Sequence, residues 1–210
     1  MKKYNIVTIT IVLLWITFAV FWTSSLYAGE TPKSGKEIPV YSGAIRDTER
    51  ESEVKSQMSW DSDPGLRSAV LNVYKTSASA EDVFNFYLLK IGGKEGMMDM
   101  DPSQMETDSI SPVMYEIEYY QDEEFKDYPI EHDVIHHGIL MKQKLVENRK
   151  PHKPGKWIIE ARFNWYHMKS NNDLTTFYVI IHDESFDIAE PKMYKTSTEV
   201  QFQVTTAKSE

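Results

Sequence analysis

The chain has 210 residues and carries 23 basic against 32 acidic side chains, a net charge of −9. That balance argues against a general nucleic-acid binder, which needs a basic footprint, and it serves solubility instead. There is no cysteine, which excludes disulfides, a thiol nucleophile, thiolate metal sites and a lipid-anchoring cysteine, so stability has to come from the core alone.

In chain order, Lys2 and Lys3 precede a charge-free run at 6–22, followed by small and polar residues up to Ala28. A basic start, an apolar middle and a small residue at the boundary predict a signal peptide over 1–28. Leu26 is larger than usual at the −3 position. The run is also about long enough to span a bilayer, so an uncleaved N-terminal anchor is the alternative. Either way the rest of the chain is expected beyond the cytoplasmic membrane, periplasmic or secreted. Removing Lys2 and Lys3 leaves that part still more acidic. Its roughly 180 residues suit one domain of ordinary size.

"GETPKSGKE" (29–37) reads as a linker and "IPVYSGAI" (38–45) as an extended entry segment. "RDTERESEVKSQ" (46–57) is so charged that it reads as a solvated excursion. "DSDPGL" (61–66) is a turn, with Pro64 and Gly65 setting its backbone. "RSAVLNVYKT" (67–76) alternates and is β-branched, which predicts a strand. A helix follows. Ser79 caps it, with Asp82 in place of the longer capping-box acid. Val83, Phe84, Tyr87, Leu88 and Ile91 make one apolar face, and Gly92-Gly93 stop it.

Residues 94–111 form a loop rich in methionine and aspartate. "VMYEIEYY" (113–120) alternates as a half-buried strand. A polar insertion spans 121–156. Two strands then face each other across "KSNND". "KWIIEARFNWYHM" (156–168) places Trp157, Ile159, Ala161, Phe163 and Trp165 on one face, and "LTTFYVIIH" (174–182) places Phe177, Val179 and Ile181 on one face. Symmetric closure predicts the pairs Trp165–Phe177, Phe163–Val179 and Ala161–Ile181, with Glu160 opposite His182 on the other face. "YKTSTEVQFQVTT" (194–206) alternates again. The sum is an α+β domain over 38–210: an antiparallel sheet of four to five strands with one main helix packed on one face, in two layers.

"IPVYSGA" followed by "VYKTSASAEDVFNFYLLKIGG" resembles the opening of bacterial exported proteins that share P-x-Y-x-G-A, then Y-x-T, then V-x-x-F-Y on a helix. Tyr41, Thr76 and Phe86-Tyr87 carry the resemblance over about 60 residues, and Ser42 stands where a proline would be expected. The resemblance implies an exported α+β domain with no defined activity, and it transfers no catalytic residue.

Three constellations invite chemistry. In "EHDVIHHGIL" (131–140), His132, Asp133 and His136 form H-D-x-x-H, one methylene short of a zinc-protease motif. Two imidazoles four residues apart meet one zinc on a helix, but in a strand they stand about 13 Å apart. Gly138 argues for an early end to any helix. Asp133 is shorter than the usual glutamate base by about 1.5 Å. The third ligand is unspecified among Glu160, His152, His167 and His182, so strand or open loop is the expectation here. The second constellation is Met97, Met98, Met100 and Met105, thioethers that suit Cu(I) but also fill gaps over a core. Third, residues 116–133 hold eight acids and one base, while 142–156 hold six bases and one acid. Within the latter, Arg149, Lys150, Lys153 and Lys156 sit in a proline-broken loop suited to an anion. Ser79 and Ser185 lack a nucleophile-elbow setting, and no glycine-rich phosphate loop appears.

These features predict an exported, non-catalytic α+β domain without a cofactor. Its role would be binding or structural in the cell envelope, with an envelope protein or an anionic ligand as partner. Membrane contact would come only through an uncleaved N-terminal segment, and no nucleic acid is expected. The alternatives are a zinc hydrolase built on His132, Asp133 and His136, and a copper protein built on the methionine loop.

Overall fold

The computed structural model describes residues 29–58, 65–121, 134–186 and 193–208. The expected leader at 1–28 lies outside them. Among the described residues no helix is long and apolar enough to cross a membrane.

The described elements, in chain order, are β1 (Ile45–Arg46), α1 (Thr48–Gln57), β2 (Leu66–Thr76), α2 (Ala80–Ile91), β3 (Lys94–Glu95), β4 (Ser109–Ile110), β5 (Met114–Tyr119), α3 (Val134–Asn148), β6 (Ile158–Met168), β7 (Asp173–Asp183) and β8 (Thr198–Lys208). One mixed sheet orders them β1-β2-β8-β7-β6-β5-β3, with β4 pairing to β6 off that path. The β3–β5 pair is parallel and the other pairings are antiparallel. The fold thus corrects the expected four to five strands with one main helix: the described residues make eight strands and three helices.

The parts that were expected follow from strong patterns. Ser79 caps α2 by accepting from Asp82 N and donating its hydroxyl to the Asp82 carboxylate. Gly92, at φ 72°, ends the helix. A side chain at Gly93 would meet the Tyr115 ring at 3.0 Å, so the chain leaves the helix flush against β5. Val83, Phe84 and Tyr87 are wholly buried against Phe163, Trp165, Phe177, Val179 and Phe202, each side chain contributing on the order of 1.5–3 kcal/mol by burial. The β6–β7 register pairs Trp165 with Phe177, Phe163 with Val179, Ala161 with Ile181 and Glu160 with His182, as expected. Trp165 and Phe177 stack at 4.9 Å. Asn172, at φ 61°, completes the tight turn between the strands.

The missed elements each have a physical cause. β1, β3 and β4 have two residues each, too few for alternation to show. The charged stretch at 46–57 is a helix, α1, and not a solvated excursion. Asp47 caps it through Arg50 N, and it lies on the sheet face opposite α2, where Val54 and Met58 meet Leu71 and Val73. One buried apolar residue in ten gives no visible stripe. The helix is held instead by ions: Glu51, itself buried, accepts from Arg46 at 2.9 Å and from Lys55 at 2.9 Å. Both faces of the sheet are therefore partly covered, unlike a two-layer domain.

β6 carries a further correction. Between Glu118 and Tyr119 the β5 strand advances one residue while β6 passes from Glu160 to Ile158. Ile159 is the extra residue of this bulge. Ile158, wholly buried, joins the core in place of the expected Ile159.

α3 carries Met141 and Leu145 against Trp157, with Tyr120, Phe186 and Tyr194 around them. Directly after it comes Arg149, whose side chain is fully buried. Its Nε donates to Glu81 Oε2 at 2.8 Å, and its Nη2 donates to Glu81 Oε1 at 2.7 Å and to Ile158 O at 3.0 Å. Its Nη1 donates to Asp183 Oδ2. Tyr120 Oη donates to the same Asp183 oxygen at 2.7 Å, Ser185 Oγ donates to the other at 2.5 Å, and Ile158 N donates to Glu81 at 2.9 Å. Burial opposes the arginine's charge, but the hydrogen bonds and charges of Glu81 and Asp183 outweigh it and raise its pKa above the ordinary value.

Removing this cation strands two buried carboxylates. Arg149→Met is expected to destabilise the fold by about 3–5 kcal/mol, read as a shift in the urea midpoint at unchanged slope. Adding Glu81→Gln and Asp183→Asn to that variant should restore part of the loss. A single variant indistinguishable from the parent would show that the ion cluster does not hold the fold.

Candidate functional site

The segment before β1 lies across the α2 face of the sheet. Trp165 Nε1 donates to Pro32 O at 2.8 Å, and the His167 ring Nδ1 lies 3.2 Å from Lys33 O. A Cβ on Gly35 would meet Val204 Cγ2 at 3.1 Å, so the backbone passes directly over β8 there. Ile38 is in the core, and Tyr41 packs edge-on against Phe86 at 5.2 Å. Residues 29–37, expected as a linker, thus include a strap tied to β6 and β8.

Between this strap and β2 opens a groove of about 710 Å³, within the usual range for ligand pockets. Its apolar lining is Ile38, Val40, Val70, Tyr74, Phe202 and Val204, joined by Ser34, Asn72, Lys36 and the Gly35 backbone. Val70 and Val40 are 46% and 44% exposed, so the mouth as well as the floor is apolar. Lys36 is the single charged residue of the lining, in a chain with an excess of acids.

The opposite sheet face carries a polar row set by strand register: Glu118 beside Glu160, Glu160 beside His182, His182 beside Glu199, and Glu199 beside Lys75. Arg50 of α1 donates to Glu199 at 2.9 Å, and Lys75 lies 3.5 Å from Asp47 and 3.3 Å from Glu184. The Glu160 carboxylate, 3.8 Å from the ring, raises the His182 pKa against the opposing effect of burial. In return, the nearby His182 lowers the Glu160 pKa. Burial, then the charge of Glu199, raises the Glu184 pKa. This row can hold and exchange protons. Glu160 opposite His182 was legible in the sequence. Glu199 and Lys75 were missed, although the alternation around Val200 and Tyr74 carried the signal.

The residues expected to bind an anion separate. Arg149 is corrected: it is a buried structural ion whose guanidinium donates to Glu81, Asp183 and Ile158 O. Lys150, Lys153 and Lys156 are exposed. Lys153 pairs with Glu95 at 3.2 Å, and Lys153 and Lys156 lie 5.9 Å and 5.8 Å from the Tyr119 ring centre. Two of the three lysines are thereby turned toward Tyr119.

In the histidine segment, His132 and Asp133 lie outside the described residues. His136 lies on α3, which runs through Gly138 to Asn148. The expected strand or open loop is therefore corrected over 134–141. Gly138 costs such a helix only about 1 kcal/mol, and the helix continues to the buried Met141 and Leu145. Of the other candidate ligands, His152 packs edge-on to Phe84 at 5.0 Å and His182 faces Glu160 at 3.8 Å. Among the described residues no three His, Asp or Glu side chains are grouped to hold a metal. In the methionine loop, Met97 and Met100 are exposed while Met98 and Met105 are half-buried. Asp101 there caps a short 3-10 turn through Ser103 N. Thr76 Oγ1 accepts from Ala78 N at 3.3 Å, and Tyr87 is wholly buried; with Tyr41 and Phe86, these residues pack and turn the chain.

No protein-family model, no curated protein and no solved structure matches the chain.

The Glu160–His182 pair sets a pH dependence. His182 has a folded pKa above 6.5, so its contribution is whole below 6.5 and is lost as pH rises through the folded value. Glu160 has a folded pKa below 4.5, so its contribution is present above 4.5 and is lost as pH falls through the folded value. The pair therefore stabilises most between those two bounds. Both side chains are partly exposed, which limits the effect to about 0.2–1 kcal/mol. An NMR titration should place His182 above an ordinary histidine and return it toward the ordinary value in Glu160→Gln. A His182 that titrates identically in both proteins would remove the pair as the cause.

Proposed function

We propose that the chain is an exported, non-catalytic binding domain of the cell envelope, and that the groove beneath the strap is where it takes its ligand. The groove carries this reading: an apolar, open cavity of ligand size with one cation and two small polar residues in its lining. Such a lining buries an apolar body and orients it by a few polar contacts. It supplies no carboxylate, histidine or cysteine for proton transfer or nucleophilic attack. Export is supported by Lys2 and Lys3, the charge-free run at 6–22 and the small residues up to Ala28. The resemblance in "IPVYSGA" and "VYKTSASAEDVFNFYLLKIGG" points the same way.

Two measurements test the reading. Alkaline phosphatase fused after residue 45 should be active in a bacterial host, since that enzyme folds only after export; an inactive but intact fusion contradicts export. Anilinonaphthalene sulfonate, an apolar anion, should shift backbone NMR signals at 34–40, 70–74 and 202–204. Val70→Glu, a change at an exposed position, should weaken that binding at least about tenfold, equivalent to 1.4 kcal/mol. Shifts elsewhere, or none, would remove the groove as the site.

A further inference from the structure

We infer that the groove receives an extended peptide segment that adds to the open edge of β2 and sets an acidic side chain against Lys36. This rests on the reading of the groove as the ligand site and gives its occupant a chemistry.

The first observation is an unfinished ladder. β8 pairs with β2 from Leu66 to Thr76, but β1 covers the other side only at Tyr74 and Lys75. Asp47 N still reaches Val73 O there at 2.8 Å. In an antiparallel strand, alternate residues direct both backbone groups to the same side. Ala69 and Leu71 therefore point their N–H and C=O groups the way Val73 does, where no strand among the described residues pairs with them. An edge of this kind is a template for another strand. The irregularity between Leu66 and Ser68 limits the template to the stretch before β1.

The second observation is that this edge and the groove adjoin. The side chains of Val70, Asn72 and Tyr74 line the groove, while Leu71 and Val73 turn to the other face beneath α1. A strand bonded to Ala69 and Leu71 lies beside Val70 and Asn72, and every second side chain of it falls on the groove side. The third observation is charge. Lys36 is the one charged liner, with no acid beside it in the lining, so an anionic side chain is the complementary one. An amphiphile with an acidic head shares the apolar and anionic contacts but leaves the ladder edge unused, so the peptide accounts for more of the site.

The test is selection of random dodecapeptides displayed on phage against the full chain, then titration of the enriched peptide made synthetically. Enriched sequences should alternate apolar residues and include Asp or Glu. N-methylation of alternate backbone amides should weaken binding at least about tenfold, as should Lys36→Glu. Ala69→Pro removes an edge N–H that no described strand uses and should weaken peptide binding alike. It should also leave anilinonaphthalene sulfonate binding unchanged. Indifference of the enriched peptide to N-methylation overturns the inference even if Ala69→Pro fails to fold. If no peptide is enriched and sodium dodecanoate shifts the groove signals, the peptide inference falls and the groove remains the ligand site. If peptide, dodecanoate and sulfonate probe all leave 34–40 and 70–74 unshifted, both fall.

Discussion

A guanidinium held between two carboxylates fixes the end of the sheet from which the rest of the molecule is arranged. Taking Arg149, Glu81 and Asp183 out of water costs several kcal/mol per ion. Only close geometry and added donors offset that. Here the second carboxylate would leave the cluster short of positive charge, and Tyr120, Ser185 and the Ile158 amide supply the remaining hydrogen bonds. Each donor comes from a different place: Tyr120 from the end of β5, Ser185 from just past β7, and Ile158 from the start of β6. Glu81 is the second residue of α2, where a negative charge also suits the helix N-terminus. The cluster thus sets where α2 begins relative to three strands, and where α3 must stop.

That constraint propagates to the groove. With α2 pinned at its start, its apolar face settles over β6, β7 and β8, and Tyr87 and Phe202 meet at 6.1 Å. A helix of twelve residues covers about 18 Å along its axis and is narrower than the sheet, so β2 and the outer part of β8 lie beyond it. The strap from Pro32 to Ile38 covers part of this remainder, held by Trp165 and by Gly35 over Val204. What neither α2 nor the strap covers is the groove. Its floor of Ile38, Phe202 and Val204 belongs to the core, while Val40 and Val70 at its mouth stay exposed. An exposed apolar mouth of this sort costs solvation, and the proposed peptide, lying beside an edge that no described strand pairs, would cover it.

The legible parts of the sequence were those in which pattern and burial coincide over many residues. The β6–β7 register could be read to the residue, because a slip by one would turn Phe163, Trp165, Phe177 and Val179 out of the core. α2 announced itself by cap, face and stop together. What stayed hidden was structure held by ions or by single contacts. α1 has one buried valine and is anchored through Glu51 and Arg50, so its sequence looks like solvent-facing coil. Arg149 sits in a run of basic residues and differs from Lys150 only in what lies around it in space; nothing local marks it as buried. The bulge at Ile159 moved the core position by one residue, and a strict alternation could not show it. The groove was invisible for another reason. Its walls come from residues 34–40, 70–74 and 202–204, three stretches far apart in the sequence.

The two faces of the sheet divide the work accordingly. On the outer face, successive strands place Glu118, Glu160, His182, Glu199 and Lys75 side by side, so each charge has an opposite or a titratable neighbour. Glu199, 1% exposed, is tolerable there because Arg50 reaches it from α1. This is how a helix with almost no apolar face stays docked: Val54 and Met58 fill the space over Leu71 and Val73, and the ion pairs at Glu51 and Glu199 set the orientation. Docked in that way, α1 buries Leu71 and Val73 of β2 from the outer face and does not lie beside the edge that β1 pairs only at Tyr74 and Lys75 among the described residues. The polar face thereby holds β2 in place, and the proposed peptide would use the apolar face and the other edge. A strand held firmly on one face and, among the described residues, paired over only part of one edge is the arrangement that the proposed strand-adding partner would require.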